Sequence, residues 1–463
     1  MASIRRMRKT LKGIVLIEAL TFLFLFAVVS FTFLEVYITG SRMIIESKNR
    51  LGATALANQK MEIIRSIEYD SIGTKRWNGT AWVYGIPAGD ILEDEAVSVN
   101  ASQYNIHTFV QYVDDSFDGV LSGSPNDTVP NDYKRVRLTV SWGSGGDDQS
   151  IAVFANFSPN GVETSAGGGV FSINIIDATG SGVSGATVHI ENSSTGVDVT
   201  TSTDSTGNIM LPGTPAGTQS YELTVSKGGY YGAITYAPSA SFSPVDAHAS
   251  VVADVLNQVT MVIDQDASMN VESEDPFGTA VSDVAFTISG GRVLGSDLTV
   301  SPATSVYGFS QTTTTDGSGE ESFSDQSYGM YTVSGVTKAG YTFYKITPDG
   351  TTVDGFDVSP GVDKNISLVM LDDAVNSLWV KVTNQSDSTP IQGATVHLVE
   401  SVSGYDVTLT TDVFGYVYFP ESLPALVAGS YDLEVSATGF QSDSSTIGIG
   451  GGLVEEAVAL NPS

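Results

Sequence analysis

One carboxylate stands where solvation argues against it. From Ile14 to Leu34 the chain is almost wholly apolar, and Glu18 is the single ionisable residue of the run. A carboxylate inside an apolar membrane helix costs on the order of 2.5–3.5 kcal/mol on insertion scales unless it is paired, so Glu18 calls for a compensating cation. A second group of oxygen donors, Asp114, Asp115 and Asp118 with Asn126 and Asp127 nearby, has the composition that Ca²⁺ prefers but not the spacing of an EF-hand loop; a solvated turn is the other reading. His189 and His397 share one outward position of a repeated strand, yet another copy of that strand carries Thr287 there, which favours solvent-facing residues over a metal site. His107 and His248 have no His or carboxylate at ligand spacing. No serine has glycine at both −2 and +2, no phosphate-cradling loop carries its lysine, and no His-Glu-x-x-His occurs. Cysteine is absent, which removes thiolate chemistry and disulfides together. The acidic pairs and triples at Asp264/Asp266 and Asp349/Asp354/Asp357 read as turns. The expectation is a non-enzymatic protein with no cofactor beyond the Ca²⁺ candidates.

The element that must hold Glu18 has membrane length. The 21 residues from Ile14 to Leu34, at about 1.5 Å each, span roughly 30 Å, enough to cross a hydrocarbon core. Arg5, Arg6, Arg8, Lys9 and Lys12 precede them without an acid, which places the N-terminus in the cytoplasm and the chain after Gly40 outside. A conventional signal peptide requires small residues just past its apolar run, but Leu34-Glu35-Val36-Tyr37 follows, and the first Ala-x-Ala is Ala53 to Ala55. A plain anchor leaves Glu18 unexplained. The charge of the whole chain, −31, is unevenly held: 12 of the 21 basic residues lie in the first 76 positions and six follow Arg137. An acidic exterior on a basic stem repels nucleic acid and anionic headgroups.

The stretch Lys12-Gly13-Ile14-Val15-Leu16-Ile17-Glu18 resembles the prepilin signal of type IV pilins and type II secretion pseudopilins. The resemblance implies cleavage between Gly13 and Ile14 by a prepilin peptidase, with Lys12 ending the basic flank, Ile14 as an N-methylated new terminus and Glu18 as the fifth mature residue. It also implies that Glu18 meets the terminal ammonium of a neighbouring subunit as helices pack into a filament, so that an expensive charge becomes a register device. No Pro occurs before Pro87, so the kink proline of many major pilins is missing, a departure from the major-pilin pattern.

After Gly40, Ile44, Leu51, Leu56, Ile63 and Ile67 recur at near-helical spacing among charged residues, which predicts one helix from Ile14 to about Tyr69. The segment from Ala55 to Arg65 is similar to the stems of minor pilins and pseudopilins. Ala81 to Tyr84, Ile106 to Val113, Arg135 to Trp142 and Ile151 to Phe157 alternate and are β-branched or aromatic, which predicts a sheet against that stem.

Farther along, a pattern recurs three times at a period of about 100 residues. Val183 to Ile190, Val281 to Ile288 and Ile391 to Leu398 align without gaps as half-buried strands, with Ala186, Val188 and Ile190 on one face as are Val284, Phe286, Ile288 and Ala394, Val396, Leu398. Each is followed by Thr-Asp-x-x-Gly, at Thr203 to Gly207, Thr315 to Gly319 and Thr411 to Gly415, and then by a strand led by Tyr221, Tyr331 or Tyr431. Asp283 stands where the other copies have Gly185 and Gly393. The copies resemble carboxypeptidase regulatory-like domains, which implies a transthyretin-like or immunoglobulin-like sandwich and no peptidase activity.

The chain therefore reads as α+β followed by all-β: a long pilin helix on an antiparallel sheet, then three tandem β-sandwich domains. The expected division is a leader over 1–13, a stem helix over 14–69 with 14–34 transmembrane, a globular β domain over 70–164, a Gly-rich linker over 165–169, and repeats over 170–263, 264–371 and 372–463. The expected role is a structural, minor-pilin subunit of a type IV pilus or pseudopilus. Its partners would be prepilin peptidase, other pilin subunits and the membrane, first at the inner membrane and then at the cell surface. The alternative is a surface adhesin that binds a glycan or cell-surface ligand, mounted on the same helix.

Overall fold

The computed structural model describes residues 11–100, 102–117, 119–121, 124, 126–127, 131–143, 149–159, 168–348, 355–422 and 424–463. One N-terminal helix is followed by strands organised as sandwich-like sheets. The helix spans Leu11–Arg65, uninterrupted because no proline falls within it. It stops short of the expected Tyr69: the Ser66 hydroxyl donates to the Ile63 carbonyl at 2.6 Å, and a 3₁₀ turn at Tyr69–Ser71 follows. Along its first half Leu20, Phe22, Leu23, Phe24, Phe31 and Phe33 are each at least 66% exposed, and among the described residues this is the helix long and apolar enough to cross a membrane.

The second half of the helix packs on a sheet of Asp94–Val99, Ser102–Val113, Tyr133–Trp142 and Gln149–Phe157, antiparallel in that order. Alternation along these strands buries Tyr104, Ile106, Val110, Val136, Leu138 and Val140 under Ala53, Leu56, Ala57, Met61 and Ile64. The packed face of the helix meets the expected stripe at Leu56 and, half-buried, at Ile67, but Ile44, Leu51 and Ile63 are 71%, 70% and 48% exposed. Positions 53, 57, 61 and 64 recur at steps of four or three and share one side of a helix, whereas steps of seven and five mixed two sides. The first expected strand is also displaced. Trp82–Tyr84 leaves the stem's sheet and pairs with Thr74–Trp77.

Each repeat has its own core cluster, drawn mainly from 171–263, 267–370 and 378–460. In each the opening strand lies between a partner that is antiparallel and a closing strand that runs parallel: Gly168–Ile176 beside Leu256–Val262, Ala267–Glu274 beside Asp363–Asp372, and Ser377–Asn384 beside Leu453–Leu460. Across the core, Val188, Ile190, Val284, Ile288, Val396 and Leu398 are all 0% exposed, as the alternation required. Tyr221, Tyr331 and Tyr431 are also fully buried and donate their hydroxyls to Pro215, Ser327 and Val427 carbonyls at 2.5, 2.9 and 2.9 Å. Burial raises all three phenols above their ordinary value. The threonine of each Thr-Asp-x-x-Gly turn does more than precede the turn. Thr203 and Thr411 donate to Val183 and Ile391 carbonyls at 2.6 Å and accept from Ala186 and Ala394 amides at 2.9 Å, stitching the turn to the aligned strand.

The odd residue of the middle copy has a backbone reason. Gly185, Asp283 and Gly393 take φ of 69°, 52° and 71°, and a Cβ on either glycine would meet nothing within 4 Å. The position demands left-handed backbone rather than space, and Asp enters that region more readily than other L-residues. Gly393→Asp is therefore expected to be nearly neutral in thermal unfolding, while Gly393→Val should lose roughly 1–2 kcal/mol. Equal melting of the two variants would contradict this.

The glycines expected as a linker serve a different end. Gly168 and Gly169 begin the strand Gly168–Ile176, and a Cβ on them would lie 2.6 Å from the Thr214 oxygen and 2.2 Å from the Val252 oxygen, so they allow close backbone approach. Residues 165–167 lie outside the described residues. The N-terminal part is also joined to the first repeat edge to edge. Tyr84 pairs in parallel with Val197, its amide donates to Gly196 at 2.7 Å, and Ile86 enters the first repeat's core. The first repeat in turn lends Phe242–Pro244 to the second repeat's sheet, where Arg292 donates to the Val262 carbonyl and pairs with Asp246, both at 2.6 Å.

Candidate functional site

The helix carries every residue of the expected processing and assembly signal. Lys12, Gly13 and Ile14 fall in its opening turns. Glu18 is exposed, one turn farther on, and among the described residues no basic group lies within ion-pair distance of it. A carboxylate on an apolar helix is costly in lipid unless a cation pairs with it.

The acidic loop is wired internally. The Asp115 amide donates to the Asp132 carboxylate, and the Phe117 amide donates to Asp115 Oδ1 at 2.8 Å. Asp114 also has a partner, Val120–Leu121 pairs in parallel with Asn126–Asp127, and Asp118 lies outside the described residues. Among the described residues, the ligand atoms close enough to share an ion belong instead to Glu93, Asp94 and His107, all within 4.8 Å of one another. Sequence spacing hid this group, because a hairpin sets Asp94 directly opposite His107 across strands whose pairing the spacing does not disclose. The alternation of Asp94–Val99 against Ser102–Val113 was the one available signal. His107 Nδ1 lies 2.9 Å from Asp94 Oδ1, and Arg76 Nε lies 3.3 Å from Glu93 Oε2. Burial raises the Glu93 carboxyl above its ordinary value, with the Arg76 charge opposing and the Asp94 charge adding to the rise. With a guanidinium already on Glu93, the arrangement is an ion-pair network. It extends to the first repeat, since Arg76 also pairs with Asp198, and His189 Nε2 lies 2.8 Å from the same carboxylate.

His397 repeats the geometry of His189, with Nε2 2.7 Å from Asp406 Oδ1. In both cases the carboxylate is the diagonal neighbour on the adjacent strand, and in the middle copy Thr287 meets Thr312 at 2.8 Å instead. These are cross-strand pairs. His248 Nδ1 lies 3.0 Å from the Thr235 hydroxyl. Asp264 is buried, accepts from the Ala178 amide at 2.9 Å and lies in the short strand Asp264–Gln265 rather than in a turn, as Asp357 lies in Gly355–Val358; Asp349 and Asp354 lie outside the described residues.

Residues 171–271 and 377–460 match the family model of the carboxypeptidase regulatory-like domain. No match to this chain is found among curated proteins. Among solved structures, the Bacillus anthracis TIE protein is similar at 14% identity over 85% of this chain and 73% of its own, with a TM-score of 0.21. A streptococcal ancillary pilin is similar at 15% identity over 64% of this chain and 99% of its own, TM-score 0.18. BcpA, the major pilin subunit of Bacillus cereus, is similar at 12% identity over 64% and 99%, TM-score 0.16. At such TM-scores the whole chains do not superpose, and nothing of the neighbours' assembly transfers to this one.

Proposed function

We propose that this chain is a non-enzymatic, minor-pilin-like structural subunit of a type IV pilus or related pseudopilus. It enters the inner membrane as a single-pass prepilin with its N-terminus in the cytoplasm. Prepilin peptidase cuts after Gly13, Ile14 is methylated, and the helix then packs with those of other pilin subunits. Three tandem β-sandwich domains are carried to the cell surface. The observation that supports this best is the division of labour along one helix: an apolar half that touches nothing else among the described residues and bears a lone Glu18, continuous with a half fixed to its own sheet. Such a helix can exchange lipid for neighbouring helices without disturbing what it displays. Some 295 residues follow Gly168, a bulk that would crowd the side of a filament if every subunit carried it, so a tip position suits it. N-terminal sequencing or intact mass of the membrane-extracted protein is expected to begin at Ile14; a mature chain beginning at Met1 would sink the reading. The second reading, a surface adhesin on the same mount, is favoured by one place, the cleft between the second and third repeats.

A further inference from the structure

Within that cleft one cavity carries more lysine than carboxylate, while the adjoining cavity of about 440 Å³, which shares Lys345 and Asp412 with it, adds Glu274, Asp275 and Glu421. Of the six basic residues after Arg137, Lys345 and Lys381 line one cavity of about 330 Å³ together with Tyr344, Tyr416, Ser388 and Asp412. Each ammonium lies 4.9 Å from a ring centroid, Lys345 over Tyr344 and Lys381 over Tyr416, and neither has a carboxylate within ion-pair distance among the described residues. The aromatic wall is rigid: Trp379 stacks on Tyr416 with centroids 4.8 Å apart and meets Tyr344 edge-on at 5.9 Å.

Asp412 supplies an unused acceptor. The equivalent Asp204 and Asp316 are exposed turn residues. Asp412 Oδ1 likewise accepts its turn's amides, Phe414 at 3.0 Å and Tyr416 at 2.9 Å, but its Oδ2 is buried with no donor among the described residues. That oxygen is closed to solvent in this conformation, and a small rotation of the carboxylate toward the cavity would let a ligand hydroxyl satisfy it.

Two departures of the middle repeat build the cleft. The strand Tyr341–Pro348 crosses to pair with Asp363–Asp372, whereas its counterparts Tyr230–Ile234 and Asp443–Ile449 pair with the tyrosine-led strands. Within it Phe343 pairs with Met370 and Lys345 with Val369, so Tyr344 is the extra residue of a β-bulge. The bulge breaks alternation and lets Tyr344 and Lys345 line the same cavity.

We propose that this cleft binds an acidic saccharide of the uronic-acid type. Its carboxylate meets Lys345 and Lys381, a sugar face lies on the tyrosine rings, and a ring hydroxyl donates to Asp412 Oδ2 as the aspartate side chain turns toward the cavity. A neutral sugar leaves both ammoniums unused, and an oligoglutamate has no hydroxyl to offer beside its charge. The proposal rests on the adhesin reading and not on polymerisation, so its failure leaves cleavage after Gly13 untouched. The test is calorimetric titration of the full chain in nonionic detergent with a galacturonate tetramer, a neutral glucose tetramer and a glutamate tetrapeptide. Saturable binding of the galacturonate is expected, about tenfold or more tighter than either control, with Lys345→Met and Lys381→Met each weakening it about tenfold and Asp412→Asn, which keeps the turn acceptor, weakening it about threefold. The proposal is overturned by no binding of the galacturonate, by equal binding of either control, or by unchanged affinity in the Lys345→Met/Lys381→Met double variant. Where a variant fails to melt like the parent, discrimination among the three ligands by the parent protein decides.

Discussion

Glu18→Ala is expected to leave the protein in the membrane and to remove it from filaments. Insertion should be easier, because the substitution relieves a carboxylate cost on the order of 2.5–3.5 kcal/mol in an apolar helix. Incorporation should fail for the opposite reason. On the proposed assembly the terminal ammonium of the adjoining subunit would be buried without its counter-charge, and removing one partner of a buried pair costs roughly 3–5 kcal/mol, a hundredfold or more in an association equilibrium. Glu18→Gln separates charge from shape and should fail nearly as badly. Membrane fractionation and immunoblotting of sheared filaments check both halves; normal incorporation of either variant would remove Glu18 from the assembly mechanism.

The second large effect lies at the foot of the helix, in a buried lysine. Lys134 is 2% exposed, its Nζ donates to the Tyr69 carbonyl at 2.8 Å, and it faces the rings of Tyr69 and Tyr112 at 4.6 and 5.4 Å. Burial lowers its ammonium to about 8 from an ordinary 10.5, with the Asp70 charge opposing. Between those values the unfolded chain holds a proton that the folded chain has released, so stability rises with pH, by roughly 3 kcal/mol across the window. Tyr112 acts in the other direction. Burial, then the Asp70 charge, pushes its phenol up to about 12 from 10.0, so the unfolded chain ionises first and stability falls above pH 10. Hydrogen exchange at the amides of Tyr133–Trp142 should therefore slow, relative to its base-catalysed intrinsic rate, from pH 7 to about 9. Lys134→Met should flatten that trend by removing the titrating group. Identical protection profiles in the parent and Lys134→Met would refute the assignment.

Much of this architecture was written in local patterns. A run of apolar residues without proline makes a helix wherever it sits, and period-2 alternation puts Val188 and Ile190 on one face whatever lies opposite, so the helix, Glu18, the repeated strands and three of the four strands expected on the stem were legible. The left-handed position shared by Gly185, Asp283 and Gly393 was visible as an oddity, although only the backbone angles explained it. Other features were not local. Which side of the stem is covered depends on where its sheet begins, which is why Ile44 and Leu51 face out. Trp82–Tyr84 turned to the first repeat because an edge strand there offered unpaired backbone groups, and Asp94 met His107 only through hairpin register.

The cleft between the second and third repeats is the clearest case of the difference. Lys345, Lys381 and Asp412 are scattered over 68 positions, and no spacing links them. They converge because one strand changes sheets and one bulge re-aims Tyr344. Residue types dictated the apolar helix of membrane length and its solitary charge, since the hydropathy of a side-chain run is a property of the segment alone. Only tertiary structure decided which faces are covered and which charges meet, since those follow from pairings between segments distant in the chain.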